Sequence, residues 1–169
     1  VDTLVVGRFV GKVALAAAGY NTPLIDVSND AGVGGTVQVT GRNILINGQS
    51  DLPRAIDASG QSGGGRIDIQ AIAQAGVTRS GVAVVQNGAI LQANALDRGD
   101  GGSIRLVGDS TVRASAGFEA TGGPAGGNGG MIETSGRYFE VGGIDVNASA
   151  PAGRAGTWLV DPSDVTIQN

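Results

Sequence analysis

The stretch from Gly129 to Ile167 reads GGMIETSGRYFEVGGIDVNASAPAGRAGTWLVDPSDVTI, and its grammar decides the fold. A glycine pair opens a short alternating strand, Met131 to Thr134, and Ser135-Gly136 follows as a break. A second strand is expected from Tyr138 to Val141. Gly142-Gly143 breaks the chain again before a third strand from Ile144 to Asn147. A loop of small residues, Ala148 to Ala155, then leads to Gly156 and a new strand at Trp158 to Val160. Three short strands joined by turns too tight for a crossover helix, then a return to the opening signal, describe one coil of a parallel β-helix.

Outward from this stretch the same signal recurs at Gly34-Gly35, Gly64-Gly65, Gly101-Gly102 and, in altered form, Ala155-Gly156. The second residues of successive pairs lie 30 (Gly35 to Gly65), 37 (Gly65 to Gly102), 28 (Gly102 to Gly130) and 26 (Gly130 to Gly156) positions apart. Two residues after each pair stand Val37, Ile67, Ile104, Ile132 and Trp158. Two further on stand Val39, Ile69, Leu106, Thr134 and Val160, and between the two rows come Gln38, Asp68, Arg105, Glu133 and Leu159. Because successive side chains on a strand point to opposite faces, the apolar rows form ladders inside the coil and the mostly polar row faces out. The small or turn residue that follows (Gly41, Ala71, Gly108, Gly136 and Pro162) is expected to close each strand. A strand also recurs before each pair: Ile25-Asp26-Val27, Ile56-Asp57-Ala58, Leu91-Gln92-Ala93, Val112-Arg113-Ala114 and Ile144-Asp145-Val146. Loops rich in Gly, Asn, Ser and Ala follow and suit tight corners.

The expected fold is all-β, a parallel β-helix of about six coils, roughly 25 to 30 Å long at strand spacing. Residues 1–33 read as an irregular first coil or cap, and residues 34–169 as regular coils beginning near Gly35, Gly65, Gly102, Gly130 and Gly156. Short strands are expected at Leu4 to Val6, Phe9-Val10 and Lys12 to Ala16, with a short helix over Val13 to Ala18 as the alternative on alanine propensity.

At 169 residues and 41% apolar content the chain is one domain's worth with enough for a core. Its 31 glycines against seven Phe, Trp, Tyr and Met residues imply a narrow interior of Val, Ile, Leu and Ala. The net charge of −4 with a single lysine, Lys12, argues against nucleic acid and anionic membrane surfaces. Cysteine is absent, so disulfides play no part, which suits a chain that crosses membranes unfolded. Neither a signal peptide nor an apolar run of membrane-spanning length is present in these 169 residues. Val1 is read as a processed or excised start.

Gly129 to Gly136, followed by Gly156-Thr157-Trp158-Leu159-Val160-Asp161-Pro162 and Asp164-Val165-Thr166-Ile167, resembles the GGFVETSG…AGTWLLDP-DVTI signature of filamentous-haemagglutinin-like exoproteins. These are large adhesins of bacterial two-partner secretion. The match runs from Gly101 to the C-terminus, and upstream only the coil pattern carries over. The resemblance implies a right-handed β-helix, secreted to the bacterial cell surface through an outer-membrane two-partner transporter. It implies no particular receptor. The Asn-Pro dipeptides typical of the family's secretion domain do not occur, so the chain is expected to derive from downstream of it. The apolar start (Val1, Leu4, Val5, Val6, Phe9) and the interrupted final pattern raise end-to-end self-association into filaments.

Candidate sites each have a plainer alternative. Arg98-Gly99-Asp100 matches a cell-attachment tripeptide, or else is a turn before Gly101. Asn147-Ala148-Ser149 matches a glycosylation acceptor, or else is a polar corner. Asp97 to Gly102 is similar to a calcium-binding β-roll loop, but a hard cation needs six or more oxygens and further acids are missing nearby. Gly108-Asp109-Ser110 has an esterase look, but with no histidine in the chain a Ser-His relay cannot be built. Asp161-Pro162-Ser163-Asp164 reads as a β-turn. Trp158 is read as core or end packing rather than a sugar platform. The 122–130 glycine cluster lacks the Lys-Ser/Thr of a phosphate loop. No catalytic residue, cofactor or metal is expected. The competing class is a β-helical enzyme or binding module for acidic glycans, with Arg66, Asp68 and Arg105 on its outward face.

Overall fold

The computed structural model describes residues 3–16, 24–48, 54–78, 80–86, 88–140 and 142–162. Every regular element among them is a strand, and every strand pairing is parallel. One sheet runs β1 (Thr3–Ala16), β3 (Thr36–Asn47), β5 (Arg66–Ala71), β8 (Ser103–Ala114), β10 (Met131–Glu140) and β12 (Thr157–Pro162), with β6 (Val82–Gln86) between β3 and β8. The other stacks β2 (Ile25–Asp26), β4 (Arg54–Asp57), β7 (Ile90–Gln92), β9 (Gly117–Glu119) and β11 (Asp145–Asn147). Apart from β5 and β6, which lie in one sheet, sequence neighbours therefore alternate between sheets, and the chain is a parallel β-solenoid of about four turns rather than six. Five corner pairs bound only four complete turns. A strand-to-strand crossover of this kind is right-handed in nearly all folds.

The register puts like residues on consecutive rungs. Val37 partners Ile67, Ile67 partners Ile104, Ile104 partners Ile132, and Ile132 partners Trp158. The first four are buried, while Trp158 on the last rung is 41% exposed. In the second row Val39, Ile69, Leu106 and Thr134 are buried, while Val160 on the last rung is exposed. A third ladder, Ile56, Leu91 and Phe118, faces these from the other sheet. Each buried aliphatic side chain contributes roughly 1.5–3 kcal/mol by leaving water, and stacking makes the gain recur with every turn.

Several expected elements lie differently. Gly41, Gly108 and Gly136 do not end strands: β3, β8 and β10 run through them. In β3 the buried alternation of Val37, Val39 and Gly41 slips by one before resuming at Ile44 and Ile46, so this point is a corner within a strand. Tyr138 accordingly belongs to β10, whose register against β8 shifts between Gly136 and Tyr138. Val112-Arg113-Ala114 is the far half of β8, beside Ala83 and Val85 of β6, and not the strand before the fourth pair. That strand is β9, where Phe118 stands between Leu91 and Val146. Val146, two residues after Ile144, therefore holds the ladder position in the last turn. The helix over Val13 to Ala18 is not formed as far as Ala16, because β1 continues to that residue beside Asn47; Ala17 and Ala18 lie outside the described residues. Asp161 and Pro162 extend β12 opposite Ser135 and Gly136, and Ser163 and Asp164 lie outside the described residues.

The 37-residue spacing also has a cause. β5 pairs with the first half of β3 and β6 with its second half, so the two share one rung. The segment from Ile72 to Gly81 is an insertion between them.

Ile104 sits in mid-ladder at 1% exposure, so Ile104→Asp buries an unpaired charge. Circular dichroism should show that variant unfolded at 25 °C, whereas Leu159→Asp, on an exposed outward position, should keep the parental spectrum. Equal stability of Ile104→Asp and the parent would contradict the inward register.

Candidate functional site: polar ladders and the glycine corner

The outward row is a charge ladder. Gln38, Asp68, Arg105, Glu133 and Leu159 are partners on successive rungs. Opposite charges one strand spacing apart meet directly. Arg105 Nε donates to Glu133 Oε2 at 3.0 Å, and its Nη1 lies 3.5 Å from Asp68 Oδ1. Arg66 Nη2 donates to Asp68 Oδ2 at 3.1 Å, and Gln70 Nε2 to both oxygens of the same carboxylate. Ser135 Oγ donates to Glu133 Oε1 at 3.1 Å. Asp68 is left only 5% exposed beneath these partners. Farther along the same strands Arg113 and Glu140 pair at 2.7 Å. The residues that an acidic-glycan enzyme would need are thus committed to one another.

The second sheet carries a matching polar row that its sequence half conceals. Asp26-Val27-Ser28, Asp57-Ala58-Ser59, Gln92-Ala93-Asn94, Glu119-Ala120-Thr121 and Asn147-Ala148-Ser149 occupy equivalent rungs. In the first, second and last of these the carboxylate or amide oxygen accepts the backbone N–H two residues on, closing an Asx-turn. In the middle turns Gln92 and Asn94 both donate to Glu119 Oε2, and Asn94 Oδ1 accepts from Thr121 N and Oγ1. Asn147 is exposed, and its acceptor-like tripeptide is the last copy of this corner turn.

The Arg98-Gly99-Asp100 tripeptide is set into the stack. Gly99 N donates to Gly126 O at 2.6 Å, and a Cβ on Gly99 would stand 2.1 Å from Ser62 O. Asp100 Oδ1 accepts from Asn128 N at 2.6 Å and from its side-chain Nδ2 at 3.2 Å. Asn128 Oδ1 in turn accepts Arg154 N, so the loop is laced across three turns. Arg98 alone projects, 3.9 Å from Asp97. Among the described residues no group of three or more acidic side chains is placed to hold a cation. Asp109 accepts the backbone N–H of Ala73 and Ser80 Oγ bridges Gln74 and Val77, so both hold the inserted 72–80 loop in place. Trp158 Nε1 donates to Thr134 Oγ1 one turn below.

Shallow depressions mark the surface, two of them along the main sheet and its corner. One, of about 620 Å³, lies over the outer face of β3, β6 and β8, between Leu45 and Val84 on its floor and Ser110 and Arg113 at its side. The other, of about 880 Å³, is an open trough along the glycine pairs, edged by Arg66, Asp100, Asn128 and Arg154. The floor of the trough is backbone, because the Gly64-Gly65, Gly101-Gly102 and Gly129-Gly130 pairs are each sandwiched between turns. The first glycine of a pair donates to a carbonyl of the turn above (Gly34 to Gly63, Gly64 to Asp100, Gly101 to Asn128, Gly129 to Arg154). The second donates across the corner within its own turn (Gly35 to Val27, Gly65 to Ala58, Gly102 to Ala93, Gly130 to Ala120, Gly156 to Ala148). Glycine is required here by space.

No family model and no curated protein matches the chain. The fold and these ladders therefore carry the functional argument.

The two hydrogen bonds from Asn128 to Asp100 make Asp100→Ala cost about 1–3 kcal/mol in urea unfolding, with faster amide exchange at Asn128. An unchanged unfolding midpoint would free the tripeptide for another role.

Proposed function

We propose that this chain is a shaft segment of a filamentous-haemagglutinin-like exoprotein, exported by a two-partner outer-membrane transporter to the bacterial surface, where it carries adhesive parts outward. The observation that supports this reading most is that the outward charges of Asp68, Arg105 and Glu133 pair from rung to rung, with Arg66 closing on Asp68 from its own strand. A glycan-cleaving face needs a carboxylate and a cation free to meet substrate. A shaft needs stiffness, and ladders that tie each turn to the next supply it without disulfides or metal. The resemblance of Gly129 to Gly136 and Gly156 to Pro162 to the exoprotein signature supports this choice of family. The absence of cysteine fits export as an unfolded chain.

Two measurements test the reading. The segment, fused behind a two-partner secretion domain and expressed with that domain's transporter, should reach the cell surface and there resist trypsin as a folded body. Retention inside the cell contradicts the export role. Purified segment should release no products from pectin or alginate, with or without calcium. Sustained release that vanishes in Asp68→Ala or Arg105→Ala overturns the shaft in favour of the enzyme.

A further inference from the structure

The corner pairs carry a directional signal. At the first position of four successive pairs, a Cβ would lie 1.8 Å from Ala58 O (on Gly34), 1.9 Å from Ala93 O (Gly64), 2.2 Å from Ala120 O (Gly101) and 2.0 Å from Ala148 O (Gly129). Each of those carbonyls belongs to the turn laid above. At the second position the obstruction comes from below: Gly35 O stands 2.1 Å from a Cβ on Gly65, Gly65 O 2.0 Å from one on Gly102, Gly102 O 2.0 Å from one on Gly130, and Gly130 O 1.9 Å from one on Gly156. Real Cβ atoms essentially never come closer than 3.0 Å to such a neighbour, and a carbonyl held by a β-ladder cannot step aside cheaply. The first glycine thus reports a turn above, and the second a turn below.

The fifth pair is Ala155-Gly156. Glycine remains where β10 lies beneath, and the position that must be glycine when covered holds alanine, exposed in this structure. We propose that the Ala155 methyl closes the stack: no further turn, from the chain's own continuation or from a second copy, can seat on this corner as the turns below it do. A second observation agrees. The ladder of Val37, Ile67, Ile104 and Ile132 ends in the indole of Trp158, whose N–H is tied back to the buried Thr134 of the turn beneath. Trp158, Ile144, Val146 and Ala148 line the open top of the core beside Ala155. In-register end-to-end filaments, one expectation from the sequence, are disfavoured at this edge.

The test adds one turn. A second copy of residues 129–154 is inserted after Arg154, so that the natural Ala155-Gly156 turn lies over the inserted corner. One chain keeps the inserted Gly-Gly, and the other carries alanine at its first position, a difference of one methyl group. With Gly-Gly the urea midpoint should rise above that of the natural chain and the trypsin-resistant core should grow by the inserted turn, since solenoid stability adds turn by turn. With Ala-Gly neither gain should appear, and loss that spreads through the stack counts the same way. Equal midpoints and equal resistant cores in the two chains would overturn the proposal.

Discussion

Backbone lies directly against backbone at the glycine corners, and the rest of the structure follows from it. Turns can repeat at strand spacing only if the chain reverses within a few residues and leaves nothing between successive reversals. The paired glycines satisfy both demands, and their N–H groups point one to the turn above and one across the corner. Once the corners are fixed, the residues two and four places on must face inward at the same height in every turn. The Val37–Ile67–Ile104–Ile132 ladder is a consequence of that placement as much as a cause of folding.

The same periodicity governs the outside. A side chain facing solvent in one turn lies a strand spacing from its counterparts above and below, so like charges would repel along the whole axis. In the main sheet the chain avoids this by alternation, Asp68 to Arg105 to Glu133. In the second sheet Gln92 stands between Asp57 and Glu119, while Asp26 and Asp57 do lie on adjacent rungs. Exposed pairs are individually worth at most about 1 kcal/mol, but Asp68 is buried under its partners and its loss would leave two guanidinium groups facing each other. A surface built this way ties each turn to the next.

Much of this was legible in the sequence, and the reasons for the failures are physical. Glycine pairs and two-residue alternation are strong signals because both are steric, and they located the main sheet and its ladder. The second sheet was harder: its strands are two to four residues long, too short for a period, and Val112-Arg113-Ala114 imitates Ile56-Asp57-Ala58 in composition while lying in β8. The pattern that distinguishes the true copy, Phe118-Glu119-Ala120-Thr121, lies in the acid or amide and the small polar residue that form the corner turn. Gly41, Gly108 and Gly136 read as stops because glycine more often ends strands than bends them. The insertion from Ile72 to Gly81 showed only as a long spacing, since a loop leaves no periodic trace. The charge ladder could be placed by row, but contact between Asp68, Arg105 and Glu133 depends on a register that becomes visible only when turns are stacked.

The central claim is that covered corner glycines cannot hold a side chain. Equilibrium urea unfolding of Gly101→Ala against Gly142→Ala measures it most directly, because a Cβ on Gly101 meets Ala120 O at 2.2 Å and one on Gly142 meets nothing within 4 Å. The account predicts that Gly101→Ala loses about 3 kcal/mol or more, or fails to fold, while Gly142→Ala stays within about 1 kcal/mol of the parent. Equal stability of the two variants would contradict it.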